Sequence, residues 1–79
     1  MKLSDAMKKR ILQLCDERNI TINKLCTICG ITQSTLGTFF NEENRVLKVR
    51  VIYNICNGIG ITLKDFFDSD LFIDLDEED

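Results

Sequence analysis

Three observations predict an all-α fold for this chain. Its 79 residues contain no proline and four glycines, so little in it interrupts a helix. Apolar residues recur at helical spacing through most of the length. No pair of alternating segments flanks a hairpin turn. A chain this short makes one small domain with a modest core. The expected architecture is five helices packed compactly over residues 1–67, followed by an acidic tail over 68–79.

The first helix is expected from about Asp5 to Asn19, with Met1 to Ser4 as a frayed start. Met7, Ile11, Leu14, Cys15 and Arg18 fall on one stripe, while Lys8, Lys9, Asp16 and Glu17 lie largely off it. Asp5 complements the dipole at the helix start. Asn19 and Ile20 turn the chain into Thr21, the N-cap of a second helix whose stripe is Ile22, Leu25, Cys26 and Cys29. Gly30 ends that stripe, because a helix C-terminus favours a residue tolerant of positive φ, and Ile31 just beyond can fold back into the core. Thr32 is the expected N-cap of a third helix, its hydroxyl accepting one of the orphan amide hydrogens of the first turn. Leu36, Phe39 and Phe40 form the buried side of that helix, which ends near Asn41, and Asn41 to Arg45 is a polar connection. Val49, Ile52, Cys56 and Ile59 form the stripe of a fourth helix, with Ile55 beside it, until Gly58 and Gly60 break it. Thr62 caps a short fifth helix, Asp65 completes a capping box, and Leu63, Phe66 and Phe67 close the underside of the core.

Two helices joined by a glycine-containing turn, the second with a polar, short-side-chain outer face, describe a helix-turn-helix. Gln33, Ser34, Gly37, Thr38 and Asn41 make up that face, and none is charged. Gln33, Ser34, Thr35 and Thr38 are the candidate base contacts. The Gln33 amide can donate and accept at once, the bidentate pattern that suits adenine, and Ser34 and Thr38 lie one turn apart. The third helix carries no Lys or Arg, so phosphate contacts are expected from Lys24, Arg45, Lys48, Asn41 and Thr32, the last at a helix N-terminus with free amide hydrogens.

The formal net charge of −3 suits a DNA binder only once it is divided. Residues 1–67 hold all ten Lys and Arg against six acids, a net of +4, whereas residues 68–79 hold seven acids and no base. The body is basic and the acidity belongs to the tail.

On these residues the chain resembles the Cro/phage-repressor type of bacterial helix-turn-helix regulator, also called xenobiotic-response-element-like. The resemblance runs from about Met7 to Phe67 and is carried by Leu25, Cys26, Cys29, Gly30, Ile31, Thr32-Gln33-Ser34, Leu36 and Phe39, with Gly58 to Phe67 resembling the end of that domain. It implies a five-helix lambda-repressor-like domain, DNA binding by the third helix, and dimers on pseudo-palindromic sites. The chain departs from the family at three places. Ile22 stands where a glutamine is common. Cys15 and Phe40 stand where an arginine of the first helix commonly pairs with a glutamate of the third, so packing is expected to replace an ion pair. Leu47-Lys48 stands where the fourth helix commonly starts at a proline followed by Ser or Thr.

Cys15, Cys26, Cys29 and Cys56 all lie on core stripes, which reads them as small buried hydrophobes rather than zinc or redox ligands, although Cys26 and Cys29 form a C-x-x-C. There is no histidine, nucleophile elbow or phosphate-binding glycine loop, so no catalysis, cofactor or small-molecule site is expected. Neither a signal peptide nor a membrane span appears, which points to the cytoplasm. The expected function is sequence-specific binding of double-stranded DNA by a homodimeric transcriptional repressor, since repression needs only occupancy and nothing resembles an effector domain. The alternative is a protein-interaction module on the same fold, antitoxin-like or an anti-regulator, using its acidic tail on a basic partner. In the tail, Leu71, Phe72, Ile73 and Leu75 are the least accounted-for apolar group: Leu71 to Leu75 is expected to pack against a second subunit or to extend the interface of the fifth helix, the alternative being that Leu71 and Phe72 cover the domain's own core. The last six residues are expected to be disordered, with Asp76 to Asp79 mobile.

Overall fold

The computed structural model describes residues 1–77. Five α-helices follow in the order α1 (Leu3–Glu17), α2 (Ile22–Cys29), α3 (Gln33–Asn41), α4 (Val49–Ile59) and α5 (Leu63–Phe67), and a 3-10 turn over Asp70–Phe72 follows. No strand occurs among the described residues. The five helices that the spacing predicts are all present, and they form the lambda-repressor-like domain that the resemblance implies.

The core is built from every helix. Met7, Ile11, Leu14 and Cys15 of α1 meet Leu25 and Cys26 of α2, Leu36 and Phe39 of α3, Ile52, Ile55 and Cys56 of α4, and Phe66 of α5. Cys15, Cys26 and Cys56 are buried in it as free thiols, and half-buried Cys29 donates its S–H to the Ile55 carbonyl at 3.6 Å. Cys15 is buried and Phe40 packs on the core edge-on to Phe39, so neither departure from the family's ion pair strands a charge.

The same device stops α2 and α4. Each ends in the sequence C-x-x-x-G-I-T, at Cys26 to Thr32 and at Cys56 to Thr62. Gly30 and Gly60 take φ of 68° and 76°, which glycine adopts without a Cβ penalty. The amides of Ile31 and Ile61 then donate back to the Cys26 and Cys56 carbonyls at 3.0 Å each, and both isoleucines fold onto the core. At the helix starts, the Thr21 hydroxyl accepts from the Lys24 amide at 3.1 Å, and Thr62 with Asp65 forms the full capping box.

Several expectations are corrected. Helix α1 begins at Leu3 rather than Asp5 and ends at Glu17, because Asn19 takes φ of 54° and turns the chain. Its start is not frayed: Ser4 is fully buried, and the Met1 ammonium lies 2.8 Å from Asp76 Oδ2. Gly58 does not break α4 but lies inside it, where α4 crosses α2 so closely that a Cβ would collide with Cys29. Val49 is 65% exposed, so the buried face of α4 starts at Ile52, while Leu47 of the preceding loop joins the core instead. Phe67 is more exposed than a residue that closes a core.

The tail returns along α1. Phe72 packs against Phe67 and Phe66, with ring centroids 5.0 and 6.2 Å away. The Asp76 amide donates to the Met1 carbonyl at 2.9 Å. Asp76 is therefore held at both its backbone and its carboxylate, against the expectation of a mobile end. The same expectation for Glu78 and Asp79 lies outside the described residues.

Candidate nucleic-acid interface

The Gly30 turn sets α3 across the domain with Leu36 and Phe39 buried beneath it and its N-terminal turn exposed. Gln33, Ser34, Thr35 and Asn41 are exposed, and Thr38 is half-buried. Thr32 occupies the N-cap position but caps no amide: its hydroxyl lies 2.7 Å from the Thr35 hydroxyl and 3.3 Å from that of Ser34. The expected bond from Thr32 to a first-turn amide is thus replaced by a bond between side chains. The neighbouring hydroxyl at 2.7 Å competes with the first-turn amides for the Thr32 side chain.

Beside α3 runs an open groove of about 560 Å³, lined by Ser34, Thr35, Thr38 and Phe39 of α3, by Arg45, Val46, Leu47 and Lys48 of the connection that follows, and by Val51 of α4. Three of the four candidate base contacts are so brought together with two of the candidate phosphate contacts. Gln33 and Asn41 of α3 and its N-cap Thr32 lie outside the lining, and Lys24 is exposed on α2. Lys48 is the N-cap residue of α4 and offers no side-chain cap. Arg45 donates Nε to Glu42 Oε2 at 2.7 Å, with both side chains about half exposed, so water and salt weaken the pair.

Two lysines of α1 reach the same edge, and sequence reasoning missed them. Lys8 donates Nζ to the Glu42 carbonyl at 2.8 Å and sits 5.7 Å from the centre of the Phe39 ring. That carbonyl closes α3, where a cation complements the dipole. Lys2 donates Nζ to Asn44 Oδ1 at 2.8 Å. Their partners lie 34 and 42 positions away, so no local pattern could have signalled them. Among the described residues no group of three or more His, Cys, Asp or Glu is placed to hold a metal ion, and no helix is long and apolar enough to cross a membrane.

The sequence matches the model of the Cro/C1-type HTH DNA-binding domain over residues 10–70. Among solved structures it is similar to the prophage Lp1 protein 11, with 30% identity and a TM-score of 0.79, over 87% of this chain and 92% of that one. The comparison with curated proteins finds no match. A helix-turn-helix of this geometry and a family match over most of the length agree: the chain belongs to the Cro/C1-type helix-turn-helix family of DNA-binding regulators.

Proposed function

We propose that this protein is a sequence-specific transcriptional repressor that reads the major groove of double-stranded DNA with α3. The observation that carries this reading is the groove that Ser34, Thr35 and Thr38 line together with Arg45 and Lys48. Uncharged donors and acceptors suit base edges, and flanking cations suit phosphates. Lys48 adds support by its position. A cation at the N-terminus of α4 opposes the helix dipole, and a phosphate beside it turns that cost into a favourable contact. Thr32 leaves first-turn amides of α3 uncapped by its side chain, which suits a second phosphate, and Lys24 and Asn41 extend the same rim. Repression then requires only that the operator be occupied. One α3 reads few base pairs, so a two-fold dimer with half-sites about 34 Å apart is the working unit.

Binding of the purified protein to a preferred duplex and to random DNA tests the assignment. Gln33→Ala is expected to cost about 1 to 3 kcal/mol on the preferred site and little on random DNA. Arg45→Ala is expected to weaken both and to reduce the salt slope by about one unit. Equal losses for Gln33→Ala on both duplexes would contradict base reading by Gln33.

A further inference from the structure

A helix that reads bases has to be held along its whole length, and the two ends of α3 are held differently. Its start is fixed by the Gly30 turn, and it packs chiefly on α2. Its last turn contains no basic residue, so nothing in the helix itself answers the partial negative charge of the carbonyls there. The ion pair that commonly ties the first helix to the third in this family is absent, since Cys15 and Phe40 stand at its two positions.

A side chain of α1 supplies the missing tie. The Glu42 amide closes α3 by donating to the Thr38 carbonyl at 3.1 Å, and the Glu42 carbonyl accepts from Lys8 Nζ at 2.8 Å. The same ammonium lies 5.7 Å from the centre of the Phe39 ring, which is buried in the core. One half-buried cation thus holds both the end of α3 and a core side chain of α3. Two residues further on, Asn44 Oδ1 accepts from Lys2 Nζ at 2.8 Å, and Asn44 takes the left-handed φ of 60° that directs the chain into Arg45. Arg45 and Lys48 both line the groove beside α3, so the pose of this connection decides where those two cations stand.

We propose that Lys8 is a positioning residue for DNA recognition: it clamps the C-terminal end of α3 and the connection to Arg45 onto α1, and it does not itself contact phosphate. This rests on the function proposed above and adds to it a residue that acts through α3. A cation that neutralises a phosphate releases a counterion on binding, whereas one that holds a helix does not, so salt dependence separates the two roles. Lys8→Met keeps the apolar stem and removes the charge and the donor. On the preferred duplex it is expected to bind roughly tenfold more weakly, the size of a helix-end cation and a cation–π contact together, with the salt slope of the parent. Hydrogen exchange is expected to accelerate at the Glu42 amide far more than at Ile55 and Cys56, which are buried in α4. Lys8→Arg, which retains the charge and the donors, and Lys9→Met, at an exposed neighbouring position, are each expected to bind within about threefold of the parent. Parent-like affinity in Lys8→Met, or a loss that Lys9→Met reproduces, would overturn the proposal. A salt slope reduced by about one unit would overturn it by making Lys8 a phosphate contact. Equal acceleration at all three amides would overturn it by assigning the loss to general instability. A parent chain that prefers no duplex would sink the function proposed above, and this proposal with it.

Discussion

A methyl group added at Gly58 would meet the Cys29 side chain, with the Cys29 Cα only 3.0 Å away, so neither a rotamer change nor a small shift of the thiol makes room. Gly37, also inside a helix, has nothing within 4 Å of the same added atom, and its φ is not positive. The two residues therefore predict opposite signs. Gly58→Ala is expected to cost about 1 to 3 kcal/mol through overpacking at the α2–α4 crossing. Gly37→Ala is expected to add about 0.5 to 1 kcal/mol, because alanine loses less freedom on entering a helix. Urea unfolding of both variants checks the pair, and a stable Gly58→Ala would show that the crossing is looser than described. The thiols carry a pH dependence of their own. Burial pushes Cys15, Cys26, Cys29 and Cys56 above their ordinary value of 9.0. Folding then favours the protonated thiols: their contribution is fully present below the unfolded pKa and is lost as pH rises through it toward the folded values. Urea midpoints between pH 7 and pH 10 are expected to fall less steeply for Cys26→Ala than for the parent. An identical fall in both would assign the loss to other groups.

Helix ends show which parts of the fold can be read locally. Thr62 accepts from the Asp65 amide at 3.0 Å and the Asp65 carboxylate accepts from the Thr62 amide at 3.1 Å, whereas the Thr32 hydroxyl reaches only other hydroxyls. Thr62→Ala is expected to cost about 1 kcal/mol and Thr32→Ala clearly less, by thermal unfolding. Equal costs would mean that the Thr32 hydroxyl caps α3 in solution. The Thr62 carboxylate partner was legible because a capping box is written within four residues, and Gly30 and Gly60 were legible because a positive φ after an apolar stripe leaves few alternatives. The start of α1 was not, since Ser4 is buried by the fold around it rather than by its neighbours in sequence. Gly58 was misread for the same reason: a glycine that breaks a helix and one that admits a second helix look alike until the crossing is known. Within the site, the polar face of α3 followed from spacing alone. The contributions of Lys2 and Lys8 followed only from the packing of α1 beside the loop after α3.

Across the whole molecule, positive and negative charge are divided between the body and the tail, and this bears on assembly. The basic body presents its groove cations beside α3, while the acidic tail is drawn back to α1 by the Met1–Asp76 pair. That pair also holds the Asp76 carboxylate below its usual range, chiefly through the hydrogen bond from the terminal ammonium. The tail's apolar residues are divided between two tasks. Phe72 packs onto Phe66 and Phe67, so it serves its own core. Ile73 remains 62% exposed, and it adjoins Leu71, which in turn shares a shallow depression with Leu12, itself 49% exposed. These three side chains border two neighbouring depressions that also share Gln13, and exposed apolar side chains so placed are a candidate contact for a second copy. A chain cut after Asp70 would lose Phe72 as well and could fail to fold, so a point change at the exposed end separates the roles. Ile73→Asp is expected to keep the helical circular dichroism signal, to sediment as a monomer against the dimer proposed for the parent chain, and to bind a two-half-site operator more weakly with a steeper dependence on protein concentration. Dimerisation as tight as the parent's would place the two-fold contact elsewhere and leave Leu12, Leu71 and Ile73 as ordinary surface.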